Sequence, residues 1–255
     1  NKSGADVRKV AEIIESLGAR DKTFKRDWDL FRTVYARDIG KWGVRQEPDT
    51  YRNGRRGFDT AGGQVVKSKE ERIIANWLFY HRINYEYERR YEHDTADSEH
   101  QQYVPDFYYP EVRLYHEHFA LNARGEAPPH FENYKEGVAW KRRIHAEKST
   151  DFIETTSGEL ASGRAIEKLK RELIKRGLKP TFDPQRPAPG MPPVSEMELS
   201  RSFRVFQQHV KNNGLTHSQL QAALNAQSRE GYVARLRLFL ALYERISEEW
   251  ERLLK

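Results

Sequence analysis

Two short segments in the middle of the chain each set a carboxylate among strand-forming aromatic residues. They are Tyr103-Val104-Pro105-Asp106-Phe107 and, with its acid eleven residues after Asp106, Tyr115-His116-Glu117-His118-Phe119. An ionised acid in a strand interior is costly unless it is paired or binds a metal. Two carboxylates converging from adjacent strands suit Mg²⁺ or Mn²⁺, hard cations that take oxygen ligands; Mg²⁺ in particular keeps several waters. A metal held in this way lowers the pKa of a bound water and stabilises the charge that develops in phosphodiester hydrolysis. Strand alternation puts Tyr115, Glu117 and Phe119 on one face and His116 and His118 on the other. The two histidines are therefore expected to pack with hydrogen-bonded imidazoles, ligation being the less favoured alternative. Lys141 and His145 stand four apart on a helical segment and share a face. An ammonium there could position a nucleophilic water, or 140–143 could simply be a basic, solvated helix face.

The elements that must position these residues follow from periodicity. Apolar stripes predict helices over 5–17 (Val7, Val10, Ile13, Ile14, Leu17) and 24–37 (Phe24, Trp28, Phe31, Tyr35). Residues 44–66 lose periodicity and read as a loop. Its run Tyr51-Arg52-Asn53-Gly54-Arg55-Arg56-Gly57 could touch phosphate but is favoured as a solvated linker. Ser68, with Glu71 three residues on, has capping-box spacing and opens a helix to about Arg82. Extended segments are expected at 84–91, 101–108, 112–121 and 151–156, with helices at 132–148 and 161–177. Six of the eleven prolines fall within 180–193, a linker or extended strap. Helices at 195–213, 216–227 and 229–254 complete the chain. The expected regions are 1–66, helical with a loop; 67–179, an α/β core; 180–194, the linker; and 195–255, helical.

The chain has 255 residues and a net charge of +6, with 32% charged and 37% hydrophobic residues. That balance is polar for one compact globule and points to long exposed helices around a smaller core. Residues 1–66 carry net +4, 67–159 net −5 and 160–255 net +7. An acidic centre between basic flanks fits a carboxylate metal site framed by a polyanion-binding surface. There is no cysteine, which excludes disulfides, thiolate zinc and a thiol nucleophile and is compatible with the cytoplasm. No apolar run approaches the ~20 residues of a membrane span, so no membrane partner is expected. No signal-peptide pattern is present. The first residue is Asn1, which suits a piece of something larger.

Taken in order, Ser68–Glu71, Tyr85-Glu86-Tyr87-Glu88, Pro105-Asp106-Phe107, Glu117-His118-Phe119, Trp140-Lys141-Arg142-Arg143-Ile144-His145 and Ile153-Glu154-Thr155 resemble the PD-(D/E)XK nuclease fold. The resemblance covers about 67–160 and is narrower to the nuclease modules inserted in bacterial superfamily 1 DNA helicases of the helicase IV type. Phe203 through Leu254 resembles, more weakly, a helical subdomain of such a helicase. The resemblance implies an α/β, restriction-endonuclease-like core, a mixed sheet flanked by helices, between helical N- and C-terminal regions. It implies Asp106, Glu117 and Glu71 as metal ligands. The family lysine would stand two residues after Glu117, where this chain has Phe119. Lys141 is the candidate replacement from the neighbouring helix, with His145 as a supporting donor. Glu88 is expected to be an ion-pair partner, and Glu154 to support the site or the fold.

The implied function is a Mg²⁺- or Mn²⁺-dependent DNA nuclease module working with a helicase domain or partner in DNA repair or antiviral defence. The alternative is a catalytically inactive nuclease-fold module that docks DNA or a partner. No Walker A sequence occurs, so any ATPase motifs would lie outside this chain.

Overall fold

The computed structural model describes residues 2–39, 49–51, 55–226 and 230–254. Two helices lead: α1 (Lys2–Arg20), burying the Val10, Ile13, Ile14 and Leu17 stripe, and α2 (Lys22–Leu30), capped by the Asp21 carboxylate on the amides of Thr23 and Phe24. A π-helical turn, Phe31–Tyr35, ends the segment read as one helix over 24–37.

The segment read as a loop contains β1 (Asp49–Tyr51), β2 (Arg55–Asp59) and β3 (Val65–Val66), a small antiparallel sheet. Its strands are too short for periodicity to reveal. Residues 44–48 and Arg52, Asn53 and Gly54 of the arginine-rich run lie outside the described residues.

The core follows as α3 (Lys69–Tyr80), β4 (Glu86–Tyr87), β5 (Phe107–Tyr109), β6 (Leu114–Phe119), α4 (Tyr134–Glu147) and β7 (Asp151–Thr156). The sheet order is β4-β5-β6-β7, antiparallel except for the parallel pair β6–β7. A parallel neighbour requires a crossover, which α4 supplies. The fold is thus α/β, a mixed four-stranded sheet flanked by helices with helical material at both ends of the chain. The extended segments are shorter than expected. Glu88, at φ 53°, turns the chain out of β4, and Arg113, at φ 50°, lies in the turn between β5 and β6. The helix expected over 161–177 is α6 (Arg164–Lys175); a separate short helix, α5 (Ser157–Ala161), precedes it, and Gly163 at φ 78° parts the two.

Residues 180–194 form a strap held across the end of α3. The Thr181 and Asp183 amides donate to the carbonyls of His81 and Tyr80, and the Gly190 and Met191 amides to those of Ala61 and Thr60. A Cβ on Gly190 would come within 2.3 Å of the Thr60 carbonyl oxygen and 2.5 Å of the Gly63 amide, so only glycine fits.

Three C-terminal helices, α7 (Glu196–Asn212), α8 (His217–Asn225) and α9 (Glu230–Leu253), return to the start of the chain. Phe203 packs on Trp28 at 5.7 Å and stacks on Phe239 at 4.5 Å between ring centres. Ion pairs Arg204–Asp6, Arg20–Glu249 and Arg245–Asp21 edge the contact. One apolar cluster runs from these helices through Ile74 and Leu78 of α3 to Phe107, Tyr109 and Leu114 of the sheet. The two helical regions read separately along the sequence form one layer. No helix among the described residues is long and apolar enough to cross a membrane.

Candidate active site

The sheet register brings the two acids together. Phe107 pairs with His116 across β5 and β6; carried one residue outward, the antiparallel register sets Asp106 opposite Glu117. Asp106 is held from both sides: its Oδ2 accepts the His118 amide at 2.9 Å, and its carbonyl accepts the Glu88 amide at 3.0 Å. β6 is buried along its whole length, so Glu117 is 1% exposed.

Lys141 reaches this carboxylate from α4. Its Nζ donates to Glu117 Oε2 at 2.6 Å and lies 5.6 Å from the ring centres of both Phe119 and Tyr103. The ammonium therefore crosses the ring at the position where the resemblance calls for lysine. Glu117 Oε1, by contrast, is buried with no hydrogen-bond partner. Burial first, and the Asp106 charge second, push the Glu117 carboxyl up to about 8, against the pull of Lys141 and Tyr103. Burial alone would lower the Lys141 pKa, but the charges of Glu117 and Asp106 outweigh it and hold the ammonium above its ordinary value.

Asp106, Glu117 and Lys141 thus converge. Glu71 and His145 do not join that contact. Ser68 caps α3 through the Glu71 amide at 3.0 Å, as its spacing predicts. The Glu71 side chain, however, reaches back to the Lys67 amide at 3.1 Å and accepts the Tyr87 hydroxyl at 2.5 Å. Burial, and then Asp106, raise its pKa, so it lies within the same electrostatic cluster with Oε2 already engaged. His145 sits deeper, stacked on Phe152 at 4.2 Å, with Nε2 3.2 Å from the Tyr103 hydroxyl and Nδ1 2.7 Å from Thr150 Oγ1. The residue expected as a supporting donor thus stands behind Tyr103, with both ring nitrogens engaged. Burial, and then the Lys141 charge, lower its pKa to about 4.

The remaining acids fall where expected. Glu88 pairs with Lys67, and Glu154 accepts two bonds of 2.7 Å from Arg142. His116 and His118 lie on the face opposite Glu117. They share Thr155 Oγ1 at 2.8 and 2.9 Å, His116 meeting Tyr109 and His118 meeting Glu70 at 2.8 Å. Burial opposes a charge on His118, but Glu70, Asp106 and Glu71 together raise its pKa. Glu70, Tyr87 and Tyr103 carry no sequence signal of a site role, because their partners lie 16 to 87 residues away.

Among the described residues no group of three or more His, Asp or Glu side chains is arranged to hold a metal ion. Mg²⁺ needs only one or two carboxylates when waters and substrate phosphate complete its shell. The Asp106–Glu117 pair fits that requirement, and the orphaned Oε1 supplies an acceptor that a cation would satisfy. Comparison with family models, curated proteins and solved structures finds no match.

Proposed function

We propose that this chain is a Mg²⁺- or Mn²⁺-dependent deoxyribonuclease module, with Asp106 and Glu117 as the metal ligands. The observation that carries this reading is Glu117: a buried carboxylate with Lys141 on one oxygen, no partner on the other and Asp106 opposite. Burying such an atom without a partner costs about 1–3 kcal/mol, and sites that carry this cost are commonly functional. A cation held by Asp106 and Glu117 would supply a water of lowered pKa and charge to offset that of the phosphate. Asp106 is fixed by the His118 amide, so its carboxylate presents one orientation. Lys141, whose ammonium lies on Glu117 Oε2, is placed to meet a phosphate oxygen or to orient the attacking water. Glu71 tunes the field around Asp106 without joining the shell. The basic flanks supply DNA backbone contacts, whose affinity falls steeply with salt. A cytoplasmic helicase domain or partner, in repair or antiviral defence, is the setting that the motif resemblance suggests.

A second reading has its own support. The Lys141–Glu117 pair already neutralises one acid internally, and a third ligand is not gathered with the pair. In that case the module docks DNA or a partner without cleaving. Incubating labelled linear, circular and single-stranded DNA with Mg²⁺ or Mn²⁺ separates the two. Cleavage by wild type that is lost in Asp106→Ala and Glu117→Ala, with DNA binding retained, supports the nuclease; Lys141→Ala should slow cleavage while keeping metal affinity. Binding without cleavage in either metal supports the docking module.

A further inference from the structure

The helix that brings Lys141 to Glu117 has an outer flank that the metal reading does not use. Arg142, one residue on, holds Glu154 through Nε and Nη2 at 2.7 Å each. Glu154 pairs in register with Glu117 across β6 and β7, so the two cation–carboxylate pairs stand side by side. Both cations lie over the Phe119 ring, Lys141 at 5.6 Å and Arg142 at 5.7 Å from its centre. The Arg142 side chain is 48% exposed. Two helical turns earlier, about 10 Å along the axis, Lys135 falls on the same flank and is also exposed. The helical step turns the acids of α4, Glu136 and Glu147, away from this flank. Just before α4 stands Phe131, 41% exposed, the one aromatic ring among the large apolar side chains left exposed in the described residues. Its amide donates to the Pro128 carbonyl at 3.0 Å, and its ring lies 5.2 Å from that of Tyr134. Tyr134 packs with Phe119, and its hydroxyl accepts the Ala120 amide at 2.7 Å. The exposed ring is thus anchored to the same edge of the site as the two cations.

We propose that this flank of α4 binds single-stranded DNA leading into the site, with Arg142 and Lys135 on backbone phosphates and Phe131 stacked on a base. This rests on the DNA reading above and names the strand type that the site takes. A guanidinium carries five N–H donors in a planar fork. The pair with Glu154 uses the Nε and Nη2 edge and so fixes the plane, leaving Nη1 to donate to a phosphate oxygen. A base can lie on a protein ring only where its own face is free. Bases within a duplex are stacked on their neighbours, whereas those of a single strand can be splayed onto an aromatic side chain. An exposed ring beside backbone-binding cations is the arrangement by which proteins hold single strands without reading their sequence. A duplex would meet the two cations but give Phe131 nothing to stack on. Phe131, Lys135 and Arg142 hold the strand and take no part at the metal or the attacking water.

The test is fluorescence anisotropy of a labelled oligodeoxythymidylate and of a blunt duplex of similar length, titrated with the full chain in EDTA so that no cleavage intervenes. Wild type should bind the single strand more tightly. Phe131→Ala should weaken single-strand binding about 10-fold, within the usual cost of losing a stacked ring, and leave duplex binding unchanged. Phe131→Trp, which keeps a stacking face, should restore it. Arg142→Ala and Lys135→Ala, each checked for folding by circular dichroism, should each lower the slope of log affinity against log salt by about 0.7 on the single strand. A surface ion pair that only supports the fold would shift thermal stability and leave that slope alone. Wild-type single-strand affinity in Phe131→Ala, an unchanged salt slope in Arg142→Ala, or tighter binding of the duplex by wild type overturns the proposal while the DNA reading stands. Wild type that binds neither strand type overturns the DNA reading, and the proposal with it.

Discussion

Glu117 concentrates the tension of the site in one side chain. Its carboxyl is raised to about 8 in the folded chain and titrates near 4.5 when unfolded. The folded state therefore holds a proton that the unfolded state has released, and ionising this group destabilises the fold as pH rises through that interval. Without divalent cation, wild type should lose stability relative to Glu117→Gln between pH 4.5 and 8, by on the order of 3–5 kcal/mol. Urea denaturation of the two proteins across that range measures the difference, and a constant or opposite trend would refute the assignment. Saturating Mn²⁺ should abolish the difference at pH 8, because the ligand stabilises only the ionised, folded form. Asp106 and Glu117 were legible because strand alternation and a hydrophobic context make an acid conspicuous. Tyr103 and Glu70 were not, because a tyrosine or a helix-face glutamate looks the same whether or not a distant partner meets it.

Among the elements, the long helices and β7 follow directly from their apolar periodicity, whereas the two- and three-residue strands leave too few side chains to show alternation. The proline-rich segment illustrates a different gap. Its composition excludes a helix, yet only the fold reveals where it docks. His81 is central to that docking, stacked between Trp77 at 4.1 Å and Phe182 at 4.9 Å, with Nδ1 2.8 Å from the Trp77 carbonyl. Burial lowers its pKa to about 4, below the 6.5 of the free imidazole. The stability that neutral His81 contributes is thus complete above pH 6.5 and is lost as pH falls toward 4. His81→Phe keeps the ring between its neighbours and removes the titration. Wild type should lose about 2 kcal/mol relative to this variant on going from pH 6.5 to 4, allowing for partial exposure. Limited proteolysis at 180–194 should accelerate over the same range in wild type only. Equal acid sensitivity in the two proteins would place the effect elsewhere.

At the scale of the whole molecule, the amphipathic stripes of α1, α2, α7 and α9 each declare a buried face, but nothing in a stripe names its partner. Pairing of the two ends of the chain was therefore the least legible feature. Its consequence is mechanical. Phe203 touches Trp28, Phe31 and Phe239 and is 1% exposed, at the centre of a cluster continuous with the inner side of the sheet. Truncating such a ring removes its transfer energy and leaves a cavity, typically about 3–5 kcal/mol. If the helical layer and the sheet were separate units, Phe203→Ala would loosen only the helices. The shared cluster demands more: α1, α7 and α9 on one side and β5 to β7 on the other should lose stability together. Native-state hydrogen exchange reads this directly, because amides that open in one cooperative unit share one opening free energy. Phe203→Ala should lower that energy by the same amount in β6 as in α1, and the proposed cleavage, if measured, should decline with the folded fraction and not through any change at Asp106 or Glu117. Protection that persists in the sheet while the helices exchange would show that the site-bearing core stands on its own.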